Sequence, residues 1–127
     1  MMYLLDTHGF IWYCEGSKRL SNQAKAIIND PNNRIYLSIA SLWEFSIKYS
    51  LQKLKFEGGL LRMGEIISQY DFILLPIREA YLLQVVGLPF IHRDPFDRML
   101  VATAKAEGMT ILTADDNIPK YDVPTLW

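Results

Sequence analysis

Acidic side chains are the residues of this sequence whose positions suggest chemistry. Glu44 lies at helical spacing from apolar residues, so it shares one face of a predicted helix with them. Asp97 likewise shares a face with the apolar residues of another helical segment. A carboxylate that faces a core without a partner is costly, so a cation should meet each of these two acids. Asp6 and Asp115 each come shortly after a short apolar run. These four acids are therefore the first candidates for a functional site.

The segments that must position these acids are predicted from hydrophobic periodicity and from turn residues. Short apolar runs indicate strands at residues 3–5, 35–37, 72–75 and 110–113, with a fifth near Val123. Helices are predicted through residues 10–12, from 21 to 28 with Ser21 as the N-cap, and over 38–51, 60–70, 77–86 and 94–107, the last of which should stop at Gly108. This alternation predicts an α/β fold, a three-layer α/β/α sandwich with a mostly parallel central sheet.

The predicted sheet brings the acids to one edge. Ligands of an open parallel sheet bind beyond the carboxyl ends of its strands, where Asp6 and Asp115 should emerge. Carboxylates that converge there, without an equal number of Lys or Arg among them, would raise one another's pKa values. A divalent cation would resolve this conflict. Oxygen ligands without a His or Cys cluster favour Mg²⁺ or Mn²⁺ over zinc.

Each acid also has a purely structural interpretation. Asp94 followed by Pro95 has the pattern of a helix N-cap, and Asp97, three residues after Asp94, could complete a capping box. Asp6 taken alone could be a turn residue at a strand end, and Glu44 could lie at a helix boundary. The convergence of all four acids, rather than any one of them, favours a metal site.

Composition limits the class of protein. The 127 residues carry 13 Lys and Arg against 14 Asp and Glu, so there is no broad basic surface of the kind common in nucleic-acid binders. This length favours one domain over residues 1–127. Cys14 is the only cysteine, and neither a secretory leader nor a long apolar stretch is recognisable. We therefore expect a protein of a reducing compartment such as the cytoplasm, without a membrane segment.

Four segments of the sequence resemble a PIN domain, and in particular the VapC-type toxin nucleases of prokaryotic toxin–antitoxin pairs. They are Tyr-Leu-Leu-Asp-Thr-His at residues 3–8, Ser-Ile-Ala-Ser-Leu-Trp-Glu at 38–44, His-Arg-Asp-Pro-Phe-Asp-Arg-Met-Leu at 92–100 and Leu-Thr-Ala-Asp at 112–115. Each segment is weakly specific. Their order and separations, over nearly the whole chain, are typical of the family.

The resemblance implies a Mg²⁺- or Mn²⁺-dependent endoribonuclease that hydrolyses RNA phosphodiester bonds, with either one or two metal ions. It implies that the catalytic and metal-binding acids are Asp6, Glu44, Asp97 and Asp115. Thr113 matches a residue that orients the site. Asp94 matches a less constant acid, and Asp116 is a further metal candidate because register alone does not decide between it and Asp115.

The resemblance also implies partners. A homodimer is expected, and the aromatic residues in so short a chain favour an interface: Trp12, Tyr13, Trp43, Tyr49 and Phe56. A small cognate antitoxin is expected to place a segment, often with an Arg, at the acidic groove. Arg93 and Arg98 flank the acids and are candidate contacts to RNA phosphates, with Lys48, Lys53 and Lys55 as more distant candidates.

Two other functions remain open. A metal-dependent phosphohydrolase would use Asp6 as a nucleophile, but Thr7-His8-Gly9 supplies neither the second Asp nor the Lys that such a mechanism usually needs. The other is a non-catalytic PIN-like binding module, against which the presence of all four acids argues. His8 and His92 are expected to have structural or surface roles.

Overall fold

The sheet has five strands, all of them parallel, in a computed structural model that describes residues 1–127. The strands are β1 (Met2–Leu5), β2 (Arg34–Ser38), β3 (Ile73–Leu75), β4 (Thr110–Leu112) and β5 (Thr125–Leu126), in the spatial order β3-β2-β1-β4-β5. The predicted parallel sheet is confirmed. The fifth strand begins two residues after Val123, where Thr113 N donates to Leu126 O.

Six helices connect and cover these strands. They are α1 (Thr7–Glu15), α2 (Asn22–Asn29), α3 (Ile39–Ser50), α4 (Gly59–Gln69), α5 (Glu79–Gly87) and α6 (Pro95–Glu107), with a 3₁₀ turn at Ile118–Lys120. Ser21 caps α2 by accepting from the Ala24 amide, as predicted. Helix α6 ends at Gly108, whose φ of 69° is the left-handed conformation that favours glycine. None of the helices combines the length and the apolar character that a membrane crossing requires.

Two hydrophobic cores lie on opposite faces of the sheet. Tyr3 and Leu5 of β1 pack in one core with residues of α1, α3 and α4. Leu4 points the other way and packs with residues of α5 and α6. This alternation within a single strand is the signature of a sheet covered on both faces, so the predicted three-layer α/β/α sandwich is confirmed.

The chain reverses its direction across the sheet between β1 and β4. From β1 it moves outward through β2 to β3, and then returns to place β4 on the other side of β1. Such a reversal leaves a crevice at the carboxyl ends of the two central strands, because the following segments diverge to opposite faces. Residues that follow β1 and β4 therefore line this crevice.

Candidate metal centre

Asp6 is held rigidly at the end of β1. It is the N-cap of α1: Oδ1 accepts from the Gly9 amide at 2.7 Å, and Oδ2 accepts from the Thr113 hydroxyl at 2.6 Å. Only 7% of Asp6 is exposed. Gly9 is required here, because a Cβ at this position would lie 2.8 Å from Asp6 Oδ1. Sequence reasoning missed Gly9.

Thr113 connects Asp6 to Asp115. Its Oγ1 donates to Asp6 and accepts from the Asp115 amide at 3.0 Å, so one buried hydroxyl orients both segments. The Oδ2 atom of Asp115 accepts from the amides of Asn117 and Ile118, which fixes the carboxylate in a turn. Asp116, in contrast, is exposed and has no hydrogen bond from its side chain.

Asp97 approaches this pair from the first turn of α6. Asp94 caps the helix by accepting from the Phe96 and Asp97 amides. The Asp97 carboxylate does not return the capping bond; Oδ2 lies 3.2 Å from His92 Nε2 instead. Ligand atoms of His92, Asp97 and Asp115 all lie within 4.8 Å of one another. The capping-box interpretation of Asp97 is therefore wrong, and Asp115 rather than Asp116 faces Asp97.

Electrostatic repulsion and burial act on these acids. The pKa of Asp97 is raised to about 6, first by burial and then by the charges of Asp94, Asp115 and Glu44, against the opposing effect of the hydrogen bond from His92. Burial also raises the pKa of Asp6, with a smaller contribution from Asp115. The charges of all these acids are thus coupled across one crevice, as the predicted convergence requires.

Glu44 has a cationic partner that the sequence argument anticipated but did not name. It is buried in α3 and its Oε2 lies 2.6 Å from Lys48 Nζ, one helical turn away. The expectation that the acids lack basic neighbours is therefore too strong. Because Lys48 is engaged here, it is a counter-charge of the site rather than a free contact for a distant phosphate.

His92 is the residue near the acids that sequence reasoning assigned only a structural or surface role. Its Nδ1 lies 2.7 Å from the Tyr121 hydroxyl, which leaves Nε2 facing Asp97. The assumption that no His lies among the acids is thus wrong. A ring held at one nitrogen and directed at a carboxylate by the other is a common way to orient a metal ligand.

Arg98 and Arg93 have different surroundings. Arg98 is 6% exposed, and its guanidinium donates to the carbonyls of Pro89 and Leu88 and to the Tyr121 hydroxyl. It is therefore not available to an RNA phosphate, which corrects that expectation. Arg93 is exposed beside Asp94 and takes part in no ion pair.

The donor set fits a divalent cation. Asp115 Oδ1 accepts no hydrogen bond, and neither does Asp94 Oδ2, so carboxylate oxygens remain open beside Asp97. A cation among them would stabilise the Asp97 carboxylate, whose pKa is raised by burial and by the charges of neighbouring acids. His92, Asp97 and Asp115 are the three groups whose ligand atoms lie close enough together to hold one such ion.

The fold and the site together define a doubly wound α/β protein with an acidic crevice at its switch point. The PIN domain model matches residues 3–124, and the chain belongs to the PIN domain family. No match is found among curated protein sequences.

Solved structures share this fold at low sequence identity. VapBC2 from Rickettsia felis, bound to a DNA fragment from its promoter, gives a TM-score of 0.76 at 17% identity, over 100% of this chain and 99% of the other. VapBC-1 from nontypeable Haemophilus influenzae gives 0.70 at 19% identity, and FitAcB from Neisseria gonorrhoeae gives 0.63 at 20%. Each of these two alignments covers 99% of this chain and 97% of the other.

Proposed function

We propose that this PIN domain is a Mg²⁺- or Mn²⁺-dependent endoribonuclease and the toxin of a toxin–antitoxin pair. The observation that carries the proposal is the meeting of Asp97 and Asp115 within 4.8 Å at the switch-point crevice, with Asp6 tied to Asp115 through Thr113. Membership of the PIN family and the likeness to VapBC complexes support it.

Asp6, Asp97, Asp115 and Glu44 are the residues that would hold the cation, with Asp94 as an outer acid. A bound divalent cation would act as a Lewis acid, lowering the pKa of a water and neutralising charge on the phosphate. Thr113 and Gly9 keep Asp6 in one rotamer, and His92 holds Asp97. In hydrolysis the water oxygen forms a bond to phosphorus, and the bond between phosphorus and one ribose oxygen breaks. A proton from the water is transferred to that leaving ribose oxygen.

The geometry favours this chemistry over the two alternatives. Asp6 is a poor phosphohydrolase nucleophile, because short hydrogen bonds reduce the nucleophilicity of both its oxygens and the residue is 7% exposed, but each oxygen keeps a lone pair with which to contact a cation. A non-catalytic binding module has no use for a cluster of acids in which burial and, to a lesser extent, mutual repulsion raise the pKa of Asp97 to about 6. Keeping these acids together lowers the stability of the fold, and such a cost is typical of residues that are retained for a function.

The charges around the acidic crevice support both the proposed substrate and the proposed partner. Arg93, exposed at the rim, is the proposed contact to an RNA phosphate, since base-independent contacts of this kind position a strand. The proposed antitoxin would compete with RNA for the acidic crevice by placing a cationic side chain of its own beside the acids. We propose that toxin and antitoxin meet in the cytoplasm. A small DNA-binding protein encoded next to this gene would support the pairing.

The metal requirement is the first test. We expect cleavage of single-stranded RNA in Mg²⁺ or Mn²⁺ and complete loss of cleavage in excess chelator, because the acids would repel the phosphate without a cation. Gel analysis of a labelled RNA measures this, and restoration by added Mg²⁺ or Mn²⁺ controls for damage by the chelator. Undiminished cleavage in chelator by a homogeneous sample would refute the metal mechanism.

We also propose a homodimer, through an apolar surface on and after α5. This α5 surface consists of Leu82, Leu83, Val86 and Phe90, of which Val86 is 85% exposed and Phe90 84%. Contiguous exposed apolar side chains mark interfaces in soluble proteins. The aromatic residues that the sequence suggested for an interface differ in exposure. Trp43 and Tyr49 are exposed and could take part in one, whereas Phe56 is buried in the core.

Light scattering at micromolar concentration is expected to give twice the chain mass. Val86→Glu should reduce it to the chain mass, because a charge would be buried at the centre of the α5 surface. Leu61→Glu is the matched control, since Leu61 is 84% exposed on α4, outside that surface. A monomeric wild type, or dissociation by the control variant alone, would contradict this interface.

A further inference from the structure

An exposed aromatic side chain stands beside the acidic crevice. Trp43 lies on α3 directly before Glu44, and 59% of it is exposed. Its ring meets the Phe96 ring edge to face, with centroids 5.3 Å apart and planes at 76°. Phe96 in turn directly precedes Asp97 on α6. Both rings of this Trp43–Phe96 pair are thus one residue away from an acid of the site.

The surroundings of Trp43 differ from those of the aromatic group on the other flank. There, Trp12 packs between His8 and Trp127 and has the Arg19 guanidinium 6.0 Å from its ring centroid. Those contacts occupy Trp12. Trp43 has one aromatic neighbour, which meets it at an angle, so most of the indole surface stays open to solvent.

We propose that Trp43, braced by Phe96, is a stacking platform for one unpaired base of a single-stranded RNA whose neighbouring phosphate lies at the acidic crevice. This inference rests on the proposed ribonuclease function and names the class of substrate, a strand with unstacked bases. Aromatic side chains bind such bases through their π faces with little sequence preference. Bases in a duplex are stacked on one another and cannot reach the indole.

Two features of the fold suit Trp43 to this role. It projects from α3, which also carries the buried side chains of Ala40 and Phe45, so the helix cannot rotate without exposing them. Phe96 is fixed by the capped first turn of α6, where Asp94 accepts from its amide. The platform is therefore rigid, and its distance from the acids is set by two helices rather than by a loop. Exposed Arg93, which directly precedes Asp94 in the chain, supplies a positive charge for the strand backbone.

The test measures RNA binding separately from cleavage. Fluorescence anisotropy of a short labelled RNA is measured with Mg²⁺ in an Asp97→Asn background, which we expect to bind without cutting. Trp43→Leu should weaken binding of single-stranded RNA by about tenfold, within the range for loss of one base–aromatic stack, and leave duplex binding unchanged. Trp43→Phe, which keeps a π face, should recover most of the affinity.

Tyr70→Leu is the matched control. Tyr70 is 54% exposed and meets Tyr13 edge to face at 6.0 Å, but it precedes β3 and so lies at the opposite edge of the sheet. We expect less than about a twofold change from it. In a series of RNAs that each carry one abasic nucleotide at a different position, we expect one position to weaken binding about tenfold. The same RNA should bind Trp43→Leu as well as the intact strand does, because that variant already lacks the stack.

Each outcome is decisive. Unchanged single-strand binding by Trp43→Leu, or an equal loss for single strands and duplex, would overturn the platform while wild-type cleavage still supports the nuclease. A fall in particle mass caused by Trp43→Leu would assign the residue to a protein interface instead. A wild type that neither cuts nor binds RNA would overturn the proposed function itself, and the platform with it.

Discussion

Asp97→Asn is expected to reduce RNA cleavage by roughly 100- to 1000-fold, the range found when one electrostatic contact to a transition state is removed. The same variant should make the metal-free protein more stable. The substitution keeps the shape of the side chain and removes a charge that Asp94, Asp115 and Glu44 repel. Function and stability should therefore change in opposite directions.

The stability gain depends on pH. A carboxyl with a pKa of about 6 in the folded protein and 3.8 as its ordinary value binds protons more tightly when folded. The contribution of protonated Asp97 to the free energy of unfolding is therefore complete below about pH 4, and it is lost as the pH rises through about 6. With a discount because 20% of the side chain is exposed, ionised Asp97 costs about 2 kcal/mol near neutral pH.

Urea unfolding in chelator, near pH 7.5 and near pH 4.5, measures the effect. We expect Asp97→Asn to exceed the wild type by about 2 kcal/mol at the higher pH and by less at the lower. Asp116→Asn controls for loss of a nearby charge, because Asp116 is exposed and outside the hydrogen-bonded group. Unfolding of Asp97→Asn at neutral pH, with cleavage by the folded fraction intact, would contradict the assignment of Asp97 to the metal site and make it a residue that stabilises the fold.

Arg98→Met is expected to destabilise the protein by about 3 kcal/mol, since buried carbonyls would lose their donor. The guanidinium lies at the C-terminal end of α5, where it meets the carbonyls of Leu88 and Pro89 and covers the Phe90 ring at 4.5 Å. A cation is favourable at this end of a helix. Arg98 thus joins α5 to α6.

Arg93→Met is the matched control, because Arg93 is exposed and five residues away. It should change the unfolding free energy by no more than about 0.5 kcal/mol while weakening RNA binding. Thermal unfolding and anisotropy separate the two arginines. Full stability of Arg98→Met together with loss of RNA affinity would restore Arg98 as a phosphate contact and contradict its structural assignment.

Local chemistry is what made the fold predictable. The Asp94-Pro95 start and the Gly108 end of α6 follow from capping rules that involve only neighbouring residues, and both were predicted. The placement of Asp6 and Asp115 needed one further rule, that parallel strands end at a shared edge. Periodicity and that rule together sufficed for most of the acidic crevice.

Contacts between elements could not be predicted in the same way. Arg98 follows Asp97 in sequence, but adjacent helical residues point about 100° apart, so one faces the crevice and the other faces α5. His92 reaches Asp97 only because Tyr121, far along the chain, holds its ring. The Lys48 partner of Glu44 is different: its spacing of four residues was a local signal that could have identified it.

The bond between Asp6 and Thr113 spans 107 residues of sequence, and it closes the strand pair β1 and β4. Pairings of such long range form late, because loop-closure entropy opposes them until much of the core has collapsed. During translation, Asp6 leaves the ribosome early and must wait for Thr113 to be synthesised. A nascent chain therefore lacks the contact that fixes the second oxygen of Asp6 until β4 and Thr113 have been synthesised, and only the local hydrogen bond from Gly9 can form before then.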